Sequence, residues 1–296
     1  MNAVSVRSRP GALSVARDYI SLLKLRVVVL LDATAVGVML PAAHGHPGVI
    51  AVAAVFIGIT CAAGGANAIN MWFDRDIDAE MTRTRRRPLP AGRIPPWHAL
   101  ALGIGLNVVA FAVLWTGANL LAALLALTGT LIYVFVYTIW LKRSTPQNIV
   151  IGGAVGVVSF LVGWVAVIGR LDLTALALFG VVFFWTPPHF WALAQMIKND
   201  YARANVPMLP VVAGERSTKR QSVVYAVLTL GVSLVPFFTG SAGAVYLAGA
   251  FVLGAGLVGI SVLDLQGRRW TRRLWTYSMV YLALLFLLFA VSPFLP

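Results

Sequence analysis

The chain has 296 residues, of which 59% are hydrophobic and only 11% charged, and its mean hydropathy is +0.85. These values exclude a soluble globular protein and define an integral membrane protein, so the lipid bilayer is its first partner. A net charge of +13 would suit a nucleic acid if it covered one surface, but it is divided among short loops between apolar runs, and no nucleic-acid partner is expected.

Runs of about 20 apolar residues, the length that crosses a hydrocarbon core, recur near residues 24–43, 49–72, 97–116, 118–141, 147–168, 173–196, 220–239, 241–263 and 274–294. The expected fold is an all-α polytopic membrane protein with nine transmembrane helices. Residues 1–23 are read as a cytoplasmic N-terminal leader and 24–296 as one transmembrane domain. Of the 23 Lys and Arg, every one but Arg170 lies in the leader, at its junction with the first helix, or in the loops after the second, fourth, sixth and eighth helices. The positive-inside rule then places the N-terminus in the cytoplasm and the C-terminus outside. The leader carries Arg7, Arg9 and Arg17, a faint likeness to an organelle presequence. It is short and lacks clear amphipathic periodicity, so a bacterial inner membrane is favoured over a mitochondrial one. Cys61 is alone, which leaves no disulfide framework and reads as a small core residue.

In chain order, Lys24 and Arg26 mark the interface before the first helix, and Asp32 lies within its apolar run. An intramembrane carboxylate is either a functional group or a side chain bonded to a neighbouring helix; both readings stay open. His44 and His46, in the next loop, read as surface imidazoles.

The second helix runs into the most charged stretch of the chain, Asn67 to Arg93, which holds four of the ten acidic residues. Asn70, Asp74 and Asp78 are spaced i, i+4, i+8 and share one helix face. Carboxylates stacked on one face repel unless a cation sits between them, and such oxygens suit Mg²⁺ when phosphate completes its shell. Arg83, Arg85, Arg86 and Arg87 follow, with forked donors matched to phosphate. A metal-bridged diphosphate site is expected here. Prolines 88, 90, 95 and 96 keep the following loop irregular, and His98, beside Trp97, is either a ligand-reaching side chain or an interfacial anchor.

Lys142 and Arg143 close the fourth helix, and Gly152, Gly153 and Gly156 in the fifth predict a packing seam. The sixth helix contains Pro187 and Pro188, which free backbone carbonyls and predict a kink. His189 follows at membrane depth among aromatic residues, where an unpartnered imidazole is costly; a ligand or catalytic role is expected. Beyond it come Lys198, Asn199, Asp200 and Tyr201, then Pro207 to Pro210. The order of a polar helix end followed by a proline-rich loop echoes that of the second helix. Two pseudo-repeated four-helix units around a cytoplasmic-side cavity are therefore expected, with a peripheral ninth helix.

The run Asn70-x-x-x-Asp74-x-x-x-Asp78, followed by Arg83-Thr84 and Arg87-Pro88-Leu89, resembles the first aspartate motif of the UbiA-type intramembrane prenyltransferases. Tyr137-Thr138-x-Trp140-Leu141-Lys142-Arg143, Asn148 to Gly153, Pro187-Pro188-His189-Phe190-Trp191 and Asp200-Tyr201 with Pro207-Met208-Leu209-Pro210 look like its haem-farnesylating branch. The resemblance implies farnesyl transfer from farnesyl diphosphate to a vinyl group of haem B, with water addition giving haem O and diphosphate. It implies Mg²⁺ on Asn70, Asp74 and Asp78, with Asp200 a further metal ligand, and catalytic roles for Arg83, Arg87 and His189. Substrate contacts are implied for Lys24, Arg26, Asn67, Arg86, His98, Lys142, Arg143, Trp191, Lys198, Asp200 and Tyr201, and a haem A synthase is implied as the partner that takes the product. The chain departs from the pattern at Leu25 and at Ser159-Phe160, where prolines are usual, and at Asn199, where an Asp is usual. The rivals are a UbiA-type enzyme acting on an aromatic quinone precursor and a membrane transporter.

Overall fold

The computed structural model describes residues 11–294, and Arg7 and Arg9 of the leader lie outside the described residues. Among these residues there are nine helices long and apolar enough to cross a membrane: Leu25–Ala42, Val49–Phe73, Pro96–Gly117, Leu120–Ser144, Asn148–Ile168, Leu173–Met196, Gly214–Phe238, Ala244–Asp264 and Thr271–Val291. They are called the first to ninth spans. The seventh begins six residues before its expected start, because Gly214 at φ 77° opens a helix whose polar first two turns precede the apolar run.

The spans close into two rings. The first packs on the second and fifth, and the second on the third, which packs on the fourth; the fourth in turn packs on the fifth. The sixth packs on the seventh and ninth, with the eighth between those two. Contact between the fifth and sixth spans joins the rings. The ninth span is therefore not peripheral: it closes the second ring and touches the first span. Its buried stripe, Leu274, Ser278, Tyr281, Leu285 and Phe289, recurs at three- and four-residue steps, the spacing of one inward helix face.

The expected glycine seam is present in part. A Cβ on Gly153 would stand 2.5 Å from Thr186 Cγ2, and Gly152 lies against the Tyr137 ring, whereas Gly156 faces open space. The sixth helix runs over Leu173–Met196 with Pro187 and Pro188 inside it.

The leader is not simply a loop. Ala12–Leu22 forms a helix with Leu22 fully buried. Arg93 donates to Asp18 through Nε and Nη2 at 2.9 and 3.1 Å, and the Tyr19 hydroxyl meets His98 Nδ1. These contacts strap the helix across the end of the first ring. The chain then turns at Lys24, in the left-handed conformation with φ 52°, and enters the first span.

Candidate active site

Asn70, Asp74 and Asp78 share one face as expected, but they stand astride a junction. The second span ends at Phe73, a short helix covers Arg75–Glu80, and Asp74 joins the two. Backbone bonds from Asp74 N to Asn70 O (2.9 Å) and from Asp78 N to Asp74 O (2.8 Å) carry the helical register across. All three side chains are buried, Asp74 at 1% exposure, and a buried carboxylate is tolerated only when paired. Lys142 Nζ pairs with Asp74 Oδ2, Arg87 Nη1 reaches Asp78 Oδ2 at 2.7 Å, and Lys24 Nζ donates to Asn70 Oδ1 at 2.9 Å. Asn70 Nδ2 donates to Asp74 Oδ2 at 2.7 Å and to Thr138 Oγ1 at 3.1 Å. Asn70 thus bridges its neighbours, and the ladder has two anionic rungs.

The fourth span supplies the facing wall. Over Ile132–Leu141 it is wound as a π-helix, a distortion that recurs at functional sites. The widened turn stacks Tyr133 on Tyr137 at 5.5 Å and brings Thr138 and Lys142 to the ladder. Tyr133 carries no signal in the sequence, whereas Tyr137 and Thr138 belong to the Tyr137–Arg143 motif, which gave them no role at the site; Thr138 lies i−4 to Lys142, one turn along the same face. Asn67 donates to Leu23 O at 3.1 Å and so pins the turn before Lys24.

Arg143 forks onto Asp76, both bonds 2.8 Å, and its guanidinium lies 4.7 Å from the Phe73 ring centre. This hydrogen bonding lowers the Asp76 pKa to about 2. Burial, reinforced by the charges of Arg87 and Lys142, lowers the Lys24 pKa to about 7 against the opposing pull of Asp78 and Asp74. Tyr201 is raised, mainly by burial, and lies within electrostatic reach of Tyr137, Arg83 and Lys142.

The two echoing loops meet. Ile77 and Met81 pack in one cluster with Trp191, Val206, Met208 and Leu209, and Arg203 Nη2 donates to Thr82 Oγ1 at 2.9 Å. Trp191 is fully buried in that cluster. Arg83 and Arg86 are exposed on the loop after the ladder, as is Arg26 at the first span.

Four expected residues sit elsewhere. Asp200 pairs with Arg203 of its own turn and, with Lys198, Gln195 and Thr271, lines a cavity of about 440 Å³ that no ladder residue touches. His98 is engaged by Tyr19 and packs edge-on against Trp97 at 3.9 Å. His189 faces the ninth span: its Nδ1 lies 2.8 Å from Ser278 Oγ and its ring stacks on Trp185 at 4.5 Å. Asp32 accepts from Thr60 Oγ1 at 2.7 Å, the neighbouring-helix reading.

The ladder fits a hard divalent cation. Asp74 Oδ1 is buried without a hydrogen-bond partner, with Arg143 Nη2 standing 3.8 Å away. Among the described residues no three His, Cys, Asp or Glu converge as a complete metal cage. Two carboxylates completed by phosphate oxygens is the usual arrangement for Mg²⁺.

The described residues thus form an all-helical bundle with buried carboxylates and converging cations at one end of its apolar spans. The family model for the UbiA prenyltransferase family matches residues 30–272, and the chain belongs to that family; it is a prenyltransferase. It is 51% identical to the protoheme IX farnesyltransferase of Symbiobacterium thermophilum, covering 95% of each chain. It is 48% identical to that of Gloeobacter violaceus, covering 97% of this chain and 95% of the other. Among solved structures, a digeranylgeranylglyceryl phosphate synthase superposes with a TM-score of 0.81 at 19% identity, covering 95% of this chain and 99% of that one. A UbiA homolog from Archaeoglobus fulgidus bound to GPP and Mg²⁺ does so with 0.67 at 17% identity, covering 93% and 100%.

Proposed function

We propose that the protein transfers a farnesyl group from farnesyl diphosphate to a vinyl group of haem B, with addition of water, giving haem O and diphosphate. The observation that carries this reading is the convergence of Lys24, Arg87, Lys142 and Arg143 on the ladder of Asn70, Asp74 and Asp78. The choice of haem as acceptor rests on the protoheme IX farnesyltransferases that are about half identical over nearly the whole chain.

Asp74 and Asp78 would hold Mg²⁺, which when bound neutralises the diphosphate and aids its departure. Arg87 and Lys142 are placed to turn from the carboxylates, and Lys24 from the Asn70 amide oxygen, to the phosphate oxygens and to stabilise the charge that grows on the leaving group. The farnesyl C1–O bond breaks as the terminal vinyl carbon of haem attacks C1. Water adds to the carbon next to the ring and loses a proton, which leaves the hydroxyethylfarnesyl side chain. Apolar helix walls keep bulk water from the allylic cation, and Tyr133 and Tyr137 offer aromatic faces beside the ladder. The residues of the ladder face act from the cytoplasmic side of an inner membrane, where a haem A synthase is the partner suited to take the product.

Purified protein incubated with haem B, farnesyl diphosphate and Mg²⁺ is expected to yield haem O by mass spectrometry. Prenylated 4-hydroxybenzoate from the same protein, with haem B unreacted, would overturn the acceptor assignment.

A further inference from the structure

On the face of the bundle that carries the ladder, the eighth and ninth spans open a groove that the proposed reaction does not use. It measures about 570 Å³ and is lined by Ile260 of the eighth span and by Arg269, Arg272, Arg273, Tyr277 and Val280 at the start of the ninth. The floor is apolar and the rim is cationic. None of the three arginines makes an ion pair among the described residues, and all three are exposed. The acid closest in sequence, Asp264, is 1% exposed and already committed to Lys219 Nζ at 3.1 Å and Thr271 Oγ1 at 2.6 Å.

That buried trio ties together the starts of the seventh and ninth spans and the end of the eighth, so the arginines are presented by a fixed turn. Trp270 orients two of them, with the guanidinium carbons of Arg273 and Arg269 at 4.6 and 5.9 Å from its ring centre. Cation–π stacking engages the flat face of a guanidinium and leaves its N–H edges free to donate. Below the rim, Val280 at 46% and Val262 at 42% exposure continue the apolar surface down the two spans. Unneutralised forked donors above an apolar furrow match a phosphodiester that carries net negative charge and an acyl chain. A choline or ethanolamine headgroup would bring its own cation against three others. Basic pockets between transmembrane helices on the ladder side are a recognised setting for anionic headgroups.

We propose that this groove holds one anionic phospholipid, its phosphate on Arg269, Arg272 and Arg273 and an acyl chain along Ile260, Tyr277 and Val280. It is a saturable site, distinct from the general attraction of basic loops to a negative surface. The test is native mass spectrometry of the full-length protein in detergent, titrated with phosphatidylglycerol or with phosphatidylcholine. The wild type is expected to retain one phosphatidylglycerol at least tenfold more tightly than phosphatidylcholine. Simultaneous Arg269→Gln, Arg272→Gln and Arg273→Gln is expected to leave one tightly held lipid fewer. Ile260→Trp, which fills the furrow and keeps every charge, is expected to do the same, whereas Arg216→Gln changes nothing. Equal retention of the two lipids by the wild type overturns the proposal without reference to any variant. So does unchanged retention in Ile260→Trp, which decides the matter should the triple variant fail to fold.

Discussion

Lys24 Nζ and Asn70 Oδ1 are 2.9 Å apart, and this bond joins the end of the leader to the ladder. Lys24 occupies the left-handed turn at φ 52°, a conformation that costs a non-glycine residue about 1–2 kcal/mol. Asn67, one helical turn before Asn70, holds the same turn through Leu23 O. Two asparagines of the second span therefore fix where the N-terminal helix ends and where its lysine points. The N-terminal helix is thereby tied, through Leu23 and Lys24, to the ladder.

Lys24→Gln removes the cation and keeps most of the length. A charged hydrogen bond contributes about 1.5–3 kcal/mol, which corresponds to a KM for farnesyl diphosphate raised about 10- to 100-fold. Steady-state kinetics at varied farnesyl diphosphate check this, with Lys24→Arg expected to recover part of the loss. An unchanged KM in Lys24→Gln would remove Lys24 from the diphosphate site.

Asp74→Ala and Asp78→Ala should each lower product formation by a factor of roughly 10³ or more, the scale of losing a metal-borne charge stabilisation. Treatment with EDTA should abolish turnover of the wild type, and Mg²⁺ should restore it. Both variants should still insert in the membrane, because the nine apolar spans are untouched. Haem O measured by extraction and mass spectrometry reports the outcome, and normal turnover in Asp74→Ala would sink the metal assignment.

The spans were readable because a bilayer demands about 20 apolar residues each time it is crossed, and the ladder because its charges recur at helical spacing in an apolar chain. What could not be read arises from contacts distant in sequence. The N-terminal helix is held by Asp18 with Arg93 and by Tyr19 with His98, pairings that no local pattern announces. The π-helix that turns Thr138 toward Asn70 leaves no mark in an aromatic, β-branched run that also suits an ordinary helix. The ninth span was expected at the periphery because the echoing loops suggest two four-helix units, and its role emerges only when His189 packs against Ser278.

Asp200→Asn provides the contrast with the ladder. Its carboxylate is engaged by Arg203 and lines a cavity that no ladder residue shares, so the substitution should cost less than about tenfold in kcat/KM, on the order of 1.4 kcal/mol. Arg203→Ala removes both the partner of Asp200 and the bond to Thr82. Its effect should appear in the proteolytic sensitivity of the two loops more than in turnover. A loss in Asp200→Asn equal to that of Asp74→Ala would bring Asp200 back as a metal ligand.

His189 is held on one nitrogen by Ser278 and stacked on Trp185, with Trp275 beyond at 6.2 Å. Trp185 Nε1 also donates to Ser278 O at 2.7 Å, so one residue of the ninth span anchors two of the sixth. Removing the imidazole opens a cavity and leaves the Ser278 hydroxyl with its bond to Trp275 O alone, and His189→Ala should destabilise the protein by about 2–4 kcal/mol. Ser278→Ala, which loses the bonds of its hydroxyl to His189 Nδ1 and Trp275 O and little volume, should cost about 1–2 kcal/mol. Thermal unfolding in detergent ranks the two. The haem absorption spectrum separates packing from ligation: with the imidazole committed to Ser278 and the indoles, the Soret band of added haem B should be the same in wild type, His189→Ala and Ser278→Ala. A band that moves in His189→Ala and not in Ser278→Ala would instead place the iron on the other ring nitrogen of His189.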